Sequence, residues 1–321
     1  METEIKVSII CNAFNHGKYI RDALEGFVSQ KTDFPFEVLV HDDASTDNTA
    51  EIIREYEEKY PDIIKPIYQT ENKYSKGIKI NRTYQTPRIK GKYVAVCEGD
   101  DYWTDPLKLQ KQCDFLDNNP EYSMCVCSTS WLNMLTGRRE NRGKCEEDRD
   151  ISLDEIILEK NGRIYQYATI VVKTSVWNQY PEWRTIIPIG DLTLSIMAAL
   201  DGKVRMLKDN MAVYRYYSAG SWTARMDSDK HREKISLKMI EGLECLNNYT
   251  EYKYDSVIKQ RINKHKYTLA LMQHDLKALK SEELQSIYKS RSLALRMSDL
   301  WRCKFPKLYT AVRKVSKRIV K

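Results

Sequence analysis

The chain has 321 residues, 42% of them hydrophobic and 30% charged, with a net charge of +7, which excludes a disordered, collagenous or membrane-embedded chain and allows a sizeable core. The charge is uneven: residues 289–321 carry eleven Lys or Arg against one acid, Asp299, so that stretch is +10 and the remainder −3. Of the eight cysteines, Cys11, Cys97, Cys125 and Cys127 fall in apolar runs and none shows paired ligand spacing, which argues against a disulfide framework or a zinc knuckle and for buried, reduced thiols in the cytosol.

The start, METEIKVSII, has neither a basic n-region nor a cleavable apolar stretch, so no signal peptide is expected. Residues 7–11 then read as a strand, and 17–30 as a helix with apolar positions at Ile20, Leu24, Phe27 and Val28. A second strand is predicted over 36–40, a helix over 50–60 closed by Pro61, and a third strand over 63–68. A basic, turn-rich stretch, 71–91, leads to a fourth strand at 93–97. This βαβα order predicts a largely parallel sheet, whose ligands bind beyond the carboxyl ends of the strands.

From 122 to 217 strands with longer connections are expected, at 122–127, 164–172, 204–207 and 211–217, interrupted by one clear helix at 191–200. Beyond 228 the pattern is almost wholly helical. The longest apolar segments, such as 192–200, fall far short of the ~20 residues that span a bilayer. Two regions follow: an α/β domain over 1–227 and a helical extension over 228–321.

Two acidic clusters stand at strand ends. His41-Asp42-Asp43 follows the second strand, and Cys97-Glu98-Gly99-Asp100-Asp101-Tyr102-Trp103 ends the fourth. Like charges this close cost several kcal/mol when buried unless a cation or donors compensate. The clusters therefore call for a positive partner in a shared crevice.

These two motifs, with Val7-Ser8-Ile9-Ile10-Cys11-Asn12-Ala13-Phe14-Asn15 before them and Ala44-Ser45-Thr46-Asp47-Asn48-Thr49 continuing the second, resemble the nucleotide-sugar domain of family 2 glycosyltransferases. The order and approximate spacing are kept over residues 5–222. The stretch running on through Thr104-Asp105-Pro106-Leu107-Lys108-Leu109 is similar to that of bacterial enzymes building capsule, exopolysaccharide or lipopolysaccharide. The resemblance implies a GT-A fold, an α/β, Rossmann-like, mostly parallel mixed sheet flanked by helices, here with a C-terminal helical extension. It implies an inverting, metal-dependent transfer of one sugar from a nucleotide-sugar donor, UDP-linked by expectation, to a hydroxyl of a glycan or lipid-linked acceptor.

The same resemblance distributes roles. Asp101 foremost, with Asp100, would hold Mn²⁺ or Mg²⁺, which stabilises a departing diphosphate; Asp100 would otherwise hold ribose or a coordinated water, and Glu98 stands where many relatives have an aspartate. Asp43 would accept the imide N–H of the base, and backbone groups of Asn12, Ala13 and Phe14 would line that pocket. Arg82 corresponds to the arginine that contacts donor phosphate or base. Asp191, opening a helix, corresponds to the general base. Tyr217 departs from the pattern by standing where relatives often carry a histidine that faces metal or phosphate; a phenol is a poor metal ligand but leaves a phosphate hydrogen bond open.

Processive synthases of the family carry a Gln-x-x-Arg-Trp motif after the base, whereas here Trp183-Arg184 precedes Asp191, so single-sugar transfer is expected. Trp177, Tyr180, Trp183 and Trp222 are candidates for stacking on a sugar or for the core. The basic tail, 301–321, interleaves apolar and basic residues and suits either an anionic lipid surface on the inner face of the cytoplasmic membrane or packing of its apolar stripe on the protein. No nucleic-acid motif accompanies the charge, and nucleic acid is not an expected partner. The competing readings are a noncatalytic nucleotide-sugar or glycan-binding module on the same fold, and a sugar-nucleotide pyrophosphorylase.

Overall fold

Strands β1 (Val7–Ala13) and β2 (Phe36–Asp42) are buried along almost their whole length, as expected of strands covered on both faces. Between them α1 (Ile20–Val28) buries Ile20, Ala23, Leu24, Gly26 and Phe27, one face of a 3.6-residue period. Next come α2 (Thr49–Lys59), β3 (Ile64–Tyr68), β4 (Tyr93–Val96), β5 (Tyr102–Trp103) and α3 (Lys108–Asn118). The computed structural model describes residues 4–140, 145–159, 162, 164–218, 229–309 and 312. Trp222 and most of the tail beyond 309 lie outside them.

The chain continues through β6 (Tyr122–Asn133), β7 (Arg139–Glu140), β8 (Arg149–Ile151), α4 (Leu153–Leu158), β9 (Val171–Lys173), α5 (Thr174–Trp177), α6 (Glu182–Ile186), α7 (Gly190–Asp201) and β10 (Lys203–Tyr216). The sheet runs β3-β2-β1-β4-β9-β6-β10-β5, with β7 on β6 and β8 on β10. Neighbours from β3 to β4 are parallel, as are β6 and β10, while β9 lies antiparallel to both β4 and β6. The sheet is mixed, as a GT-A fold requires.

Three expectations needed correction. The short helices α4, α5 and α6 join the one helix expected within 122–217. Of the strand predicted over 164–172 only Val171 and Val172 are strand, in β9, after a 3-10 turn, Tyr167–Thr169, held by Thr169 Oγ1 donating to the Gln166 carbonyl at 2.7 Å. The strands predicted over 204–207 and 211–217 are one strand, β10. Register shifts around Asn210 absorb the polar residues between them.

The chain divides into two compact units, Met1–Gln179 with Asp191–Ser221, and Tyr180–Gly190 with Trp222–Lys321. The second is helical: α8 (Asp229–Tyr249), α9 (Asp255–Met272), α10 (Leu276–Leu279), α11 (Glu282–Ser290) and α12 (Leu293–Lys304). One of its cores gathers Tyr267, Ala270, Leu279, Leu284 and Cys303. All eight cysteines are free thiols. Among the described residues no helix is long and apolar enough to cross a membrane.

Candidate functional site

The turn after β4 closes when the Asp101 N–H donates to the Glu98 carbonyl at 3.0 Å. Gly99 has no room for a side chain, because a Cβ would stand 2.8 Å from Ile20 Cδ1 and 2.9 Å from His16 Nδ1. The turn is tied to the end of β1. Gly99 N–H donates to the Asn12 carbonyl at 3.0 Å, and Asn12 Nδ2 donates to Glu98 Oε1 at 3.3 Å and to Asn81 Oδ1 at 2.8 Å. Fully buried Gln85 fixes the other end of that amide, donating to Asn12 Oδ1 at 3.2 Å and to the Leu39 carbonyl at 2.9 Å.

The three acids of the turn have different surroundings. Asp101 is buried, and its Oδ1 accepts the Arg215 backbone N–H at 2.8 Å. Asp100 is half-buried; its Oδ2 accepts the Ser218 hydroxyl at 2.9 Å, and its carbonyl accepts Arg215 Nη1 at 3.0 Å. Burial first, and then the neighbouring Asp100 charge, push the Glu98 carboxyl up to about 8. The same causes raise Asp101 well above the usual carboxylate range, against the opposing pull of the Arg215 N–H. Arg215 is the protein's own compensating cation: it pairs with Asp22 and lies 4.4 Å from the Tyr102 ring centre and 5.2 Å from that of Tyr19.

A divalent ion fits this acid turn, since a cation reverses the repulsion that keeps such carboxyls protonated. Among the described residues no three His, Cys, Asp or Glu converge as a ready metal cage. Asp101, the ligand expected foremost, is turned inward and engaged by backbone. Asp100 is half-buried.

Asp43 is also buried, and both its oxygens are engaged: Oδ1 accepts Lys73 N–H at 2.8 Å and Oδ2 accepts Tyr74 N–H at 3.0 Å. It fixes the loop that carries exposed Tyr74, while its own N–H donates to the Ala13 carbonyl at 2.9 Å. Asn12, Ala13, Asp43, Glu98, Asp100 and Asp101 are thus brought into one cluster. Phe14 is exposed at the end of the same strand.

Arg82 lies exposed in a π-helical turn, Asn81–Gln85. Tyr217 adopts a left-handed backbone, φ 63°, which costs a non-glycine residue about 1–2 kcal/mol. That bend follows β10 and precedes Ser218, the residue that meets Asp100. Asp191 opens α7, its Oδ1 accepting the Leu192 N–H at 2.9 Å, and with Tyr165, Tyr167, Leu192 and Ser195 it lines a cavity of about 20 Å³. Asn81 Nδ2 donates to the Tyr167 hydroxyl at 3.3 Å. A hydrogen-bonded chain therefore runs from Glu98 through Asn12 and Asn81 to the wall beside Asp191.

Trp177 and Trp183 are buried core residues, and Trp177 Nε1 donates to Thr86 Oγ1 at 2.9 Å, so neither presents a face to a sugar. Arg215, Ser218, Asn81 and Gln85 went unassigned in the sequence. The signal for Arg215 was a cation among the apolar and aromatic residues of the run 211–217.

Residues 8–177 match the sequence profile of Glycosyl transferase family 2. An uncharacterised protein of Mycobacterium tuberculosis is 35% identical over 245 residues, covering 75% of this chain and 67% of the relative. The putative teichuronic acid biosynthesis glycosyltransferase TuaG of Bacillus subtilis is 34% identical over 110 residues, 34% of this chain and 41% of its own. Among solved structures, that of TarS from S. aureus superposes with a TM-score of 0.61 at 19% identity, over 92% of this chain and 50% of that one; this chain thus spans half of TarS. A TarS fragment, 1–349, in complex with UDP-GlcNAc matches with a TM-score of 0.56 at 18% identity, over 90% and 93% of the two chains. The mannosyltransferase PcManGT of Pyrobaculum calidifontis, in complex with GDP-Man and Mn²⁺, matches with a TM-score of 0.54 at 14% identity, over 96% and 88%. A family profile over more than half the chain and a GT-A sheet ending in this acid turn lead to one conclusion: the chain belongs to glycosyl transferase family 2 and is a glycosyltransferase.

Proposed function

We propose that the protein transfers one sugar, with inversion, from a UDP-sugar to a hydroxyl of a glycan or lipid-linked acceptor in surface-polysaccharide synthesis, assisted by Mn²⁺ or Mg²⁺. The observation that carries this reading is the acid turn itself. Glu98, Asp100 and Asp101 crowd a strand end that Arg215 contacts through its backbone N–H and its guanidinium. TarS bound to UDP-GlcNAc and PcManGT bound to GDP-Man and Mn²⁺ support the donor class and the ion, and TuaG supports the polysaccharide setting.

In this reading Asp100, rather than Asp101, holds the ion, with Glu98 beside it. When bound, the ion supplies Lewis-acid stabilisation of the leaving diphosphate. Asp101 and Arg215 set the shape of the turn, and Ser218 orients the Asp100 carboxylate. Asp43 acts on the base through the loop it pins, with Asn12, Ala13 and Phe14 forming the adjoining wall. Arg82 and the Tyr217 hydroxyl reach donor phosphate when the donor is bound. Asp191 accepts the proton of the attacking hydroxyl, on the side of the donor sugar away from the diphosphate, which inverts the anomeric centre.

Nucleotide release from UDP-, GDP- and dTDP-sugars, with Mn²⁺, with Mg²⁺ and with chelator, tests it. The expected result is slow, metal-dependent release from a UDP-sugar that Asp100→Ala abolishes. Absence of both release and metal-dependent donor binding across the panel would refute the reading. With an acceptor found, Asp191→Asn should lower kcat by at least about 100-fold with little change in donor affinity.

A further inference from the structure

Helix α12 carries its apolar residues on the outside. Its two buried positions are polar or small: Asp299 accepts the Tyr267 hydroxyl at 2.7 Å and pairs with Arg291 Nε at 2.7 Å, and Cys303, one turn on, lies in the cluster with Tyr267 and Leu279. Leu300 and Trp301 are half-buried, whereas other large apolar side chains face solvent. Leu293 is 69% exposed and Met297 61%, and past the helix end Phe305, Leu308 and Val312 are 54%, 54% and 45% exposed. Leu293 and Met297 stand one turn apart on α12, and Phe305, Leu308 and Val312 follow from the bend that ends it.

Basic residues accompany that stripe. Lys304 and Lys307 are exposed beside it, Arg296 is half-buried over the Tyr288 ring and Arg302 pairs with Asp229, and the sequence adds Arg313, Lys314, Lys317, Arg318 and Lys321. A row of exposed Leu, Met and Phe in water is unfavourable and marks a contact surface. The segment's +10 charge decides among occupants. A second copy would bring +10 against +10, whereas an anionic surface complements it. Packing on the protein's own helices would cover these side chains, which the described structure leaves open.

We propose that this stripe docks on the surface of an anionic phospholipid bilayer, with Leu293, Met297, Phe305 and Leu308 entering the boundary between headgroups and acyl chains and the Lys and Arg side chains meeting phosphate. Docking would hold the enzyme beside a membrane without spanning it. The inference does not depend on which donor the first unit binds.

The test is flotation of the full chain with vesicles of equal phosphatidylglycerol and phosphatidylcholine, and with phosphatidylcholine alone. Capture by the anionic vesicles at ~50 mM salt, falling at least about tenfold at ~500 mM, is expected, with none on phosphatidylcholine. The triple variant Leu293→Ser, Met297→Ser, Leu308→Ser should lose capture at least about tenfold while keeping the wild-type circular dichroism and thermal midpoint. Since all three side chains are exposed, the variant should fold; if it does not, Lys304→Glu with Lys307→Glu is used instead, with the same loss expected. Wild type that ignores anionic vesicles overturns the proposal, as does a folded variant captured as well as wild type. A wild-type oligomer that the triple variant loses would also overturn it, assigning the stripe to a second copy.

Discussion

The Arg215 backbone N–H donates to Asp101 Oδ1 at 2.8 Å, joining residues 114 apart in the sequence. The guanidinium of the same residue returns to the Asp100 carbonyl and to Asp22 of α1. One residue near the end of β10 thus satisfies a buried acid and ties the acid turn to a helix. This division of labour separates Asp101, which shapes the turn, from Asp100, whose carboxylate is left half-open.

Asp101→Ala and Asp100→Ala should therefore fail differently. Removing Asp101 leaves the Arg215 N–H without its partner and should cost about 2–3 kcal/mol of stability. Removing Asp100, half-exposed, should change stability by less than about 1 kcal/mol yet abolish metal-dependent nucleotide release. Urea midpoints beside release rates check this; equal stability losses would contradict the assignment.

Arg215→Met should destabilise by about 2 kcal/mol, since it removes a buried cation from between acids. Asp22→Asn, whose carboxylate is half-exposed, should cost under about 1 kcal/mol because solvent already screens that pair. Chemical denaturation of the two variants separates them, and a larger loss for Asp22→Asn would shift the weight to the ion pair.

Ser218→Ala removes the hydroxyl that donates to Asp100 Oδ2 at 2.9 Å. Groups that orient a ligand typically account for about 10–100-fold in metal affinity or activity. The Mn²⁺ concentration giving half-maximal nucleotide release should rise by at least about tenfold, with folding intact. An unchanged Mn²⁺ requirement would mean that Asp100 needs no such support.

The helical unit should weaken in mild acid. Burial, with Arg261 and Lys264 nearby, lowers the His265 imidazole to about 3, and its Nε2 is buried without a partner. In the unfolded chain the group titrates near 6.5. Because the folded value is depressed, the stabilising contribution is complete above about pH 6.5 and is lost as pH falls from there towards 3, by up to about 1.4 kcal/mol per pH unit. The urea midpoint should drop more between pH 7 and pH 5 in wild type than in His265→Gln. Parallel drops in the two proteins would rule the histidine out.

The first half of the fold was legible because parallel strands covered on both faces are written as short apolar runs, as in residues 7–11 and 36–40, and their helices show a 3.6-residue period. The second half was read less well. A strand such as β10 crosses polar residues by shifting register, and the turn at Tyr167–Thr169 forms from side-chain hydrogen bonds that local pattern does not reveal. The aromatic residues Trp177 and Trp183 carry no mark in the sequence to distinguish a core position from a sugar platform.

By itself the sequence determined the order of the strands that deliver Asn12, Asp43 and Glu98 to Asp101 to one edge, and the family those motifs belong to, because motif chemistry is local and travels with its strand end. Only the tertiary structure decided which acid faces inward, which residue compensates it, and that Leu293 and Met297 point away from the helical core. Those outcomes depend on contacts between segments tens to a hundred residues apart, such as Arg215 with Asp101 and Tyr267 with Asp299, and burial and charge pairing are properties of the packed chain rather than of any stretch of it.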